Sequence, residues 1–497
     1  MKAFLDVEQT RKDNFLDGQS NSVHRSSLLV PVLPNSEVSI SFLNHFLIKR
    51  SILLVGCKVT AIDNAGKKLS SRLTQIDEPR VYTLHLQRDS DPKTNSFLIE
   101  FFSANNLVIP FPAVMINHRQ SNCLSTVHSY NRVLADVFED DDVNSIHVLE
   151  AGIDMSQDPN VSTFFCLHAG PFDVAGPVTL EFSHSEGQMQ NTFSVNIPRY
   201  TYKFFKLDEL VPSWPKTMGI LRIKQPDQRL FYGRLLVGQC AQSGSFVANH
   251  SYYDNSGIDG EFWDNDNPSH RTYPIIEGLR SLIRFYPIMS PSALDVRIVF
   301  NSADGSPLGQ VSAEELVSPG PKTIELDIES SAVLNGLDIQ QAKSFTVVAK
   351  SVNGNTPTRI NHQLIYKNSD LESSINISLY NLNVFHPQTK LRTAWGQLLH
   401  SAEYNSWLSI SNDGSNQTES IVEINFYDES GIILSTSLQI ACRSAQTINI
   451  KELLENAAVE VSGEYLWYEF ESDNHFMTGF SISQNTLSSH CTGEHSF

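Results

Sequence analysis

The sequence predicts an all-β protein built from four tandem antiparallel β-sandwich domains. Two observations support this. A His closes a predicted β-hairpin at four places, at His128, His250, His362 and His495. Upstream of each His, a strand runs into a turn with a glycine, and the four separations from glycine to His are 62, 63, 57 and 64 residues. Internal periodicity of this kind outranks any local motif in predicting a fold.

Alternating strands within each repeat favour the same fold class. Apolar and polar residues alternate after each glycine, as in half-buried strands, at residues 81–86, 202–207, 322–328 and 446–450. Another strand then leads into each hairpin. Apolar patterns of helical period are nearly lacking, and repeats of about 100 residues with this pattern are typical of antiparallel sandwiches.

The spacing of the histidines sets the domain size. Successive histidines are 122, 112 and 133 residues apart, which is a usual length for one domain. The second repeat carries a long acidic and aromatic loop at 252–273. After an N-terminal polar segment at 1–26, the predicted domains are therefore residues 27–135, 145–272, 275–370 and 376–497.

Composition restricts the function classes. Hydrophobic residues form 40% of the chain, which excludes a disordered protein. The formal net charge of −19 argues against nucleic acid and anionic lipid as partners, because phosphate groups are bound by clustered Lys and Arg. No run reaches the ~18 apolar residues of a membrane span, so no membrane insertion is expected.

The N-terminus and the cysteines bear on location. The first residues lack the apolar region of a secretory signal, so we expect an acidic, soluble, cytoplasmic protein, with non-classical export to the cell surface as the alternative. A disulfide framework would need an even, recurrent set of cysteines in each repeat. The six that occur are irregularly spaced and are predicted to be free thiols: Cys57, Cys123, Cys166, Cys240, Cys442 and Cys491.

The four recurring histidines are interpreted as structural. Residues i and i+2 of a strand share a face, so His250 lies with Phe246 and His362 lies with Ile360 and Leu364. This apolar company indicates buried rings that bond loop carbonyls. The alternative role is that of a metal ligand or general base. A metal site needs three or four converging ligands, and no repeat contains an HxH or HExxH motif, so no catalytic residue is assigned.

The loop after His250 is the stretch most typical of a ligand site. The aromatic and acidic side chains of this loop could bind a sugar, with Trp263 stacking on the ring and carboxylates bonding the hydroxyls. They could also surround Ca²⁺ with oxygen ligands. Packing between domains is the alternative. The run 264–267 lacks the Gly and distal Glu of an EF-hand. The candidate ligand-binding residues are Tyr252, Tyr253, Asp254, Asp259, Glu261, Trp263, Asp264 and Asp266.

Residues 406–412 and 421–431 resemble the opening strands of immunoglobulin-like domains in bacterial repeat proteins. The resemblance implies four immunoglobulin-like sandwiches and transfers no activity. We therefore expect a non-catalytic binding or structural protein, with a glycan, a protein or Ca²⁺ as its partner. Two alternatives stay open: a hydrolase or metal-dependent enzyme that uses residues 250–270, and a self-assembling surface or filament component that forms homo-oligomers.

Overall fold

The computed structural model is mostly β, with 60% of the described residues in strands and 7% in helices, which confirms the all-β prediction. No helix among the described residues is long and apolar enough to cross a membrane. All six cysteines are free, as predicted. The structure describes residues 25–88, 90–105, 107, 109, 112–121, 123–132, 150–225, 232–233, 235–251, 267–285, 293–313, 323–352, 356, 359–367, 371–380, 392–414 and 419–497.

One strand order recurs four times along the chain. Eight successive strands form two antiparallel four-stranded sheets, and with the strands numbered 1 to 8 the orders are 1-6-3-4 and 5-2-7-8. We call the four sets units 1 to 4. In unit 3 the two sheets join into one of eight strands, through the pairing of His270 with Tyr380.

Units 1 and 2 contain sixteen of these strands and two short helices. Unit 1 comprises β1 Ser26–Pro31, β2 Glu37–Leu43, α1 His45–Arg50, β3 Val55–Asp63, β4 Lys68–Ile76, β5 Val81–His85, β6 Thr94–Ser103, β7 Met115–Gln120 and β8 Cys123–His128. Unit 2 comprises β10 Glu150–Met155, β11 Val161–His168, β12 Val174–His184, β13 Gly187–Ile197, β14 Tyr202–Lys206, α2 Leu207–Leu210, β15 Gly219–Lys224, β17 Leu236–Ala241 and β18 Phe246–His250. Two further short strands pair with each other, β9 Asn131–Arg132 and β16 Tyr232–Gly233.

Units 3 and 4 repeat the arrangement. Unit 3 comprises β19 Ser269–Pro274, β20 Arg280–Phe285, β21 Leu294–Asn301, β22 Pro307–Ser312, β23 Ile324–Asp327, α3 Ile328–Leu334, β24 Ser344–Ser351, β25 Arg359–Lys367 and β26 Ser373–Tyr380. Unit 4 comprises β27 Arg392–Leu399, β28 Tyr404–Asn412, β29 Ser420–Asp428, β30 Gly431–Ile440, β31 Ala445–Asn449, α4 Ile450–Ala457, β32 Tyr465–Ser472, β33 Met477–Asn485 and β34 Cys491–His495.

A helix follows strand 5 directly in units 2 to 4. In two of these helices, the N-cap side chain bonds the backbone N–H three residues on: Asp327 accepts from Ser330, and Asn449 accepts from Glu452. Such caps satisfy donors that have no partner inside the helix. The caps fix where strand 5 ends, which makes the units easy to align.

The two sheets of each unit share an apolar core. Strand β12 shows why: Val178, Leu180 and Phe182 are buried and alternate with more exposed polar residues, the pattern of a half-buried strand. The core of unit 1 continues into units 2 and 4, where it includes Phe246 and Trp467. Apolar burial therefore holds neighbouring units together as well as each unit by itself.

The four glycines of the sequence repeat lie where strand 3 turns into strand 4: Gly66 and Gly305 within the turn, and Gly187 and Gly431 as the first residues of strand 4. Each has a positive φ angle, which suits a residue without a Cβ. These turns set the direction of strand 4 in every unit. The angles are 78° at Gly66, 152° at Gly187, 77° at Gly305 and 125° at Gly431.

Three of these turns rest on the segment between strands 4 and 5 of a neighbouring unit. A Cβ on Gly66 would lie 2.7 Å from the carbonyl oxygen of Arg199 in unit 2, and one on Gly305 would lie 1.9 Å from that of Cys442 in unit 4. In the turn of unit 4, the carbonyl of Glu429 accepts a 3.2 Å hydrogen bond from Arg80 of unit 1. The same head-to-tail contact thus joins unit 1 to 2, unit 3 to 4 and unit 4 to 1.

Strand 8 of every unit lies at the centre of the molecule. Strand β8 packs against β18 and β34, and β26 packs against the same two strands. Because unit 4 contacts unit 1, the series of four units returns to its start. A head-to-tail contact that closes in this way produces a ring, so the units form neither a rod nor an open array.

Candidate functional site at the centre of the ring

One position of strand 8 meets its counterparts at the centre of the ring. In units 1, 2 and 4 this position is His128, His250 and His495, each of which pairs with a residue of strand 7 that in turn pairs with strand 2. In unit 3 the corresponding row of paired residues runs through Arg284 and Gln363 and ends at Asn376. We call His128, His250, Asn376 and His495 the central quartet. Its members are 122, 126 and 119 residues apart.

His362 is not a member of the central quartet. The prediction that the four histidines occupy equivalent positions in the four repeats is therefore wrong for His362. It lies in β25, the seventh strand of unit 3, and pairs with Phe285 and Ile377. Its ring is fully buried and bonds the hydroxyl of Tyr273, and Nδ1 lies 3.2 Å from the carbonyl of Ile360. Burial lowers the pKa of His362 to about 3.

The third unit also extends beyond its predicted limits. Its strands run from Ser269 to Tyr380, compared with the predicted 275–370. Strand β26 carries the central position of unit 3 and has Asn376 there in place of His.

Neighbouring members of the central quartet are in contact. The ring of His128 lies 4.5 Å from that of His250 and 5.3 Å from that of His495, edge to face in both cases. The amide of Asn376 donates a hydrogen bond to the carbonyl of His250. The order of contacts is therefore that of the ring itself, from unit 3 through units 2 and 1 to unit 4.

A buried carboxylate lies beside two of these rings. Glu494 immediately precedes His495, and 3% of its side chain is exposed. Its Oε2 lies 2.9 Å from Nδ1 of His128 and also accepts the backbone N–H of His128 at 3.3 Å. Its Oε1 accepts the backbone N–H of His495 at 3.0 Å. Burial alone would raise the pKa of Glu494, but His128 and His495 outweigh it and lower the pKa to about 2, so the carboxylate is ionised at neutral pH.

One hydrogen bond determines which ring nitrogen of His495 carries the proton. Its Nδ1 lies 2.8 Å from the carbonyl oxygen of Ser496, which fixes the proton on Nδ1. Nε2 then carries the lone pair and lies 3.7 Å from Oε1 of Glu494. Burial lowers the pKa of His495 to about 4, although Glu494 acts in the opposite direction. His495 is thus neutral at neutral pH, the form in which imidazole binds metals.

Aromatic rings cover one side of the cluster. Phe497 packs edge to face on His128 with ring centroids 5.9 Å apart, and stacks on Trp467 at 6.2 Å. Its backbone N–H donates to the carbonyl of Trp395 at 2.9 Å. An apolar wall of this kind lowers the local dielectric and strengthens the interactions of Glu494.

The arrangement allows two kinds of chemistry. His128, Glu494 and His495 each offer a ligand atom within 4.8 Å of the others, the only such metal-ligating group found in the parts of the chain that the structure describes. They can hold a cation, or they can form a hydrogen-bonded ion pair across the junction of units 1 and 4. Sequence reasoning singled out the two histidines as structural repeat markers and missed Glu494, because a lone acidic residue in a strand gives no signal.

The candidate loop residues of the sequence analysis, Tyr252, Tyr253, Asp254, Asp259, Glu261, Trp263, Asp264 and Asp266, lie outside the described residues. Both flanks of the loop are described. Ser251 is buried and accepts the N–H of Leu235 at 2.9 Å, and Ser269 is buried at the start of β19. The described flank ends at Ser251, the residue that follows His250 of the central quartet.

Comparison with known proteins gives no match, either among protein-family models or among curated proteins.

Proposed function

We propose that this protein is a non-catalytic binding protein, in which four immunoglobulin-like sandwich domains form a closed ring that supports the loop at 252–266. The loop binds a glycan or Ca²⁺, with Trp263 as the stacking face and Asp259, Glu261, Asp264 and Asp266 as oxygen ligands.

The single observation that supports this proposal is how firmly the two flanks of the loop are held. Ser251 exchanges hydrogen bonds with the backbone of Leu235. On the other flank, Nε2 of His270 lies 3.1 Å from the carbonyl oxygen of Asp413 in unit 4. Binding loops gain precision when a rigid scaffold fixes their ends. A loop dense in carboxylates is relieved of charge repulsion when it binds a cation or hydroxyl donors.

Ring closure favours a self-contained binding protein over a filament component. The head-to-tail contact that could propagate an array joins unit 4 back to unit 1 within the chain. Since the contact is satisfied internally, we expect a monomer. Light scattering on the purified full chain should give the mass of one chain, and a concentration-dependent rise in mass would favour the filament alternative.

Calorimetry with Ca²⁺ and a glycan array test the binding function. Wild type should bind one of the two ligands. Trp263→Ala and Asp264→Ala should each weaken the binding of that ligand at least tenfold. Glu460→Ala, which removes an exposed acidic residue of unit 4, is the control and should bind like wild type. If wild type binds neither ligand, or if both loop variants bind like wild type, the loop is not the binding element.

A further inference from the structure

We propose that His128, Glu494 and His495 form a binding site for one divalent transition-metal ion, which joins unit 1 to unit 4 where the ring closes. This site is distinct from the loop proposed above and does not depend on it.

The donor set selects the class of ion. Two imidazole nitrogens and one carboxylate oxygen form a ligand set of Zn²⁺ in proteins, and imidazole also suits copper, nickel and iron. Ca²⁺ and Mg²⁺ prefer oxygen ligands alone. The site therefore differs in its chemistry from the carboxylate-rich loop.

The distances between donors fit an ion of this class. Ligands about 2.0–2.1 Å from a tetrahedral ion lie about 3.3 Å from one another. Oε2 of Glu494 lies 2.9 Å from Nδ1 of His128, and Oε1 of the same carboxylate lies 3.7 Å from Nε2 of His495, so each oxygen of Glu494 is next to one imidazole nitrogen. These separations bracket the ideal value, and all three ligand atoms fall within 4.8 Å.

The groups behind the donors hold them in place. The ring of His495 bonds the Ser496 carbonyl through Nδ1, the outer hydrogen bond that metal-ligating histidines usually make. The two oxygens of Glu494 accept the backbone N–H groups of His128 and His495, which orients the carboxylate. Phe497 covers the ring of His128.

An ion can reach the site. The side chain of His495 is 28% exposed, whereas those of His128 and Glu494 are 10% and 3% exposed. Three protein ligands also leave a coordination position for water.

Comparison of the four units explains why the site occurs at one junction. The residues that precede the central quartet are Val127, Asn249, Ile375 and Glu494. Only Glu494 is acidic, so only the copy in unit 4 supplies an anionic ligand. Its partner His128 comes from the first unit of the chain, and an ion bound there links the two ends of the series.

Zinc binding by the full chain tests the proposal. After treatment with EDTA and its removal, calorimetry should show one Zn²⁺ per wild-type chain, and thermal unfolding should shift upward with Zn²⁺ concentration because the ion binds the folded state. Glu494→Gln and His495→Gln should each weaken Zn²⁺ binding at least tenfold. His400→Gln, in unit 4 outside the cluster, and Asp264→Ala, in the loop, should bind as wild type does.

A rescue variant separates ligation from folding. His495→Cys replaces one zinc ligand by another, so it should bind Zn²⁺ more tightly than His495→Gln, and with Co²⁺ it should show a thiolate-to-metal absorption band that wild type lacks. Three outcomes would overturn the proposal: no saturable Zn²⁺ binding by wild type, equal binding in wild type and both Gln variants, or loss of binding in Asp264→Ala with His495→Gln unaffected.

Discussion

At the junction of units 1 and 4, His128 faces the buried carboxylate of Glu494, whereas at the junction of units 2 and 3, His250 faces the neutral amide of Asn376. His128, His250 and Asn376 occupy the central position of strand 8, and Glu494 directly precedes the residue at that position in unit 4. The side chains decide whether the junction carries charge. A buried carboxylate that loses its partner is costly, while a neutral hydrogen bond makes a modest net contribution.

Unit 3 places its buried charge elsewhere in the same row. Arg284 is 4% exposed and bonds Glu325 and Glu372, all within the unit. Burial would raise the pKa of Glu372, but Arg284 and Lys367 outweigh it and lower the pKa. The charged groups of unit 3 thus stabilise one unit, whereas the contact of His128 with the carboxylate of Glu494 bridges two. The stability of the junction between units 1 and 4 should therefore depend on ionisation, and that of the junction between units 2 and 3 should not.

The largest expected effect comes from breaking the charged junction. In the presence of EDTA at pH 7, Glu494→Gln should lower the free energy of unfolding by about 3 kcal/mol, because the backbone N–H groups of His128 and His495 and the ring of His128 lose a buried, charged acceptor. Asn376→Ala should lower it by about 1 to 2 kcal/mol, because the carbonyl of His250 loses one donor. Urea unfolding followed by tryptophan fluorescence measures both.

The control for this pair is Glu471→Gln, which removes the charge of an exposed Glu in β32 and should leave stability within about 0.5 kcal/mol of wild type. Equal losses in Glu494→Gln and Asn376→Ala would contradict the distinction between a charged and a neutral junction.

The turn glycines offer a second comparison, with a smaller effect. Gly305→Ala meets both a left-handed backbone and a carbonyl of unit 4 at 1.9 Å, while a Cβ on Gly187 meets nothing within 4 Å. We expect losses of about 2 to 3 kcal/mol for Gly305→Ala and about 1 kcal/mol for Gly187→Ala, since the latter retains only the backbone strain.

Hydrogen exchange locates the effect of the first variant. Protection should fall at residues 441–444 of unit 4 in Gly305→Ala and stay unchanged there in Gly187→Ala. Similar exchange at 441–444 in the two variants would mean that the turn does not support the neighbouring unit.

The sequence predicted the all-β class because alternation of apolar residues is a local property. Strand β12 alternates because one of its faces packs on a core, and the four turn glycines recur because each turn needs a positive φ. The limits of unit 3 were missed because Asn376 replaces the marker His. The unequal spacings from His250 to His362 and from His362 to His495, 112 and 133 residues, indicated that His362 is not the equivalent residue. With Asn376 in its place the two spacings are 126 and 119 residues.

The candidate site was only half predictable. Repetition identified His128, His250 and His495, but their convergence depends on a contact between the first and last units, which no local pattern encodes. Glu494 becomes significant only when the ring closes and brings His128 to it, 366 residues away in the sequence. The loop of candidate ligands stays a prediction.

His118 is a second buried histidine at a junction between units, but unlike His128 it has no carboxylate partner among the described residues. It lies in β7 beside Phe246 of unit 2, is 1% exposed, and neither ring nitrogen has a hydrogen-bond partner among the described residues. Burial lowers its pKa to about 3. His118→Leu should therefore raise the free energy of unfolding at pH 7 by about 1 kcal/mol, because an unsatisfied buried polar group is removed.

The pH dependence of this variant follows from the direction of the pKa shift. Below an unfolded-state pKa of about 6.5, the unfolded chain binds a proton at His118 that the folded chain does not, so wild-type stability falls with pH down to about 3. The loss from this group is about 2 kcal/mol at pH 5, where each pKa unit is worth about 1.4 kcal/mol. The advantage of His118→Leu should thus grow from about 1 kcal/mol at pH 7 to about 3 kcal/mol at pH 5.

His362→Leu is the matched control, because burial gives His362 a pKa of about 3 as well but its ring bonds Tyr273. At pH 7 it should destabilise the protein by about 1 to 3 kcal/mol, since the hydroxyl of Tyr273 is left unpaired, yet its stability relative to wild type should improve at pH 5 by the same amount as in His118→Leu. Urea unfolding at both pH values measures the four free energies. If the difference between wild type and His118→Leu is equal at pH 7 and pH 5, then His118 takes up a proton in the folded protein, and solvent or a partner group must reach its ring.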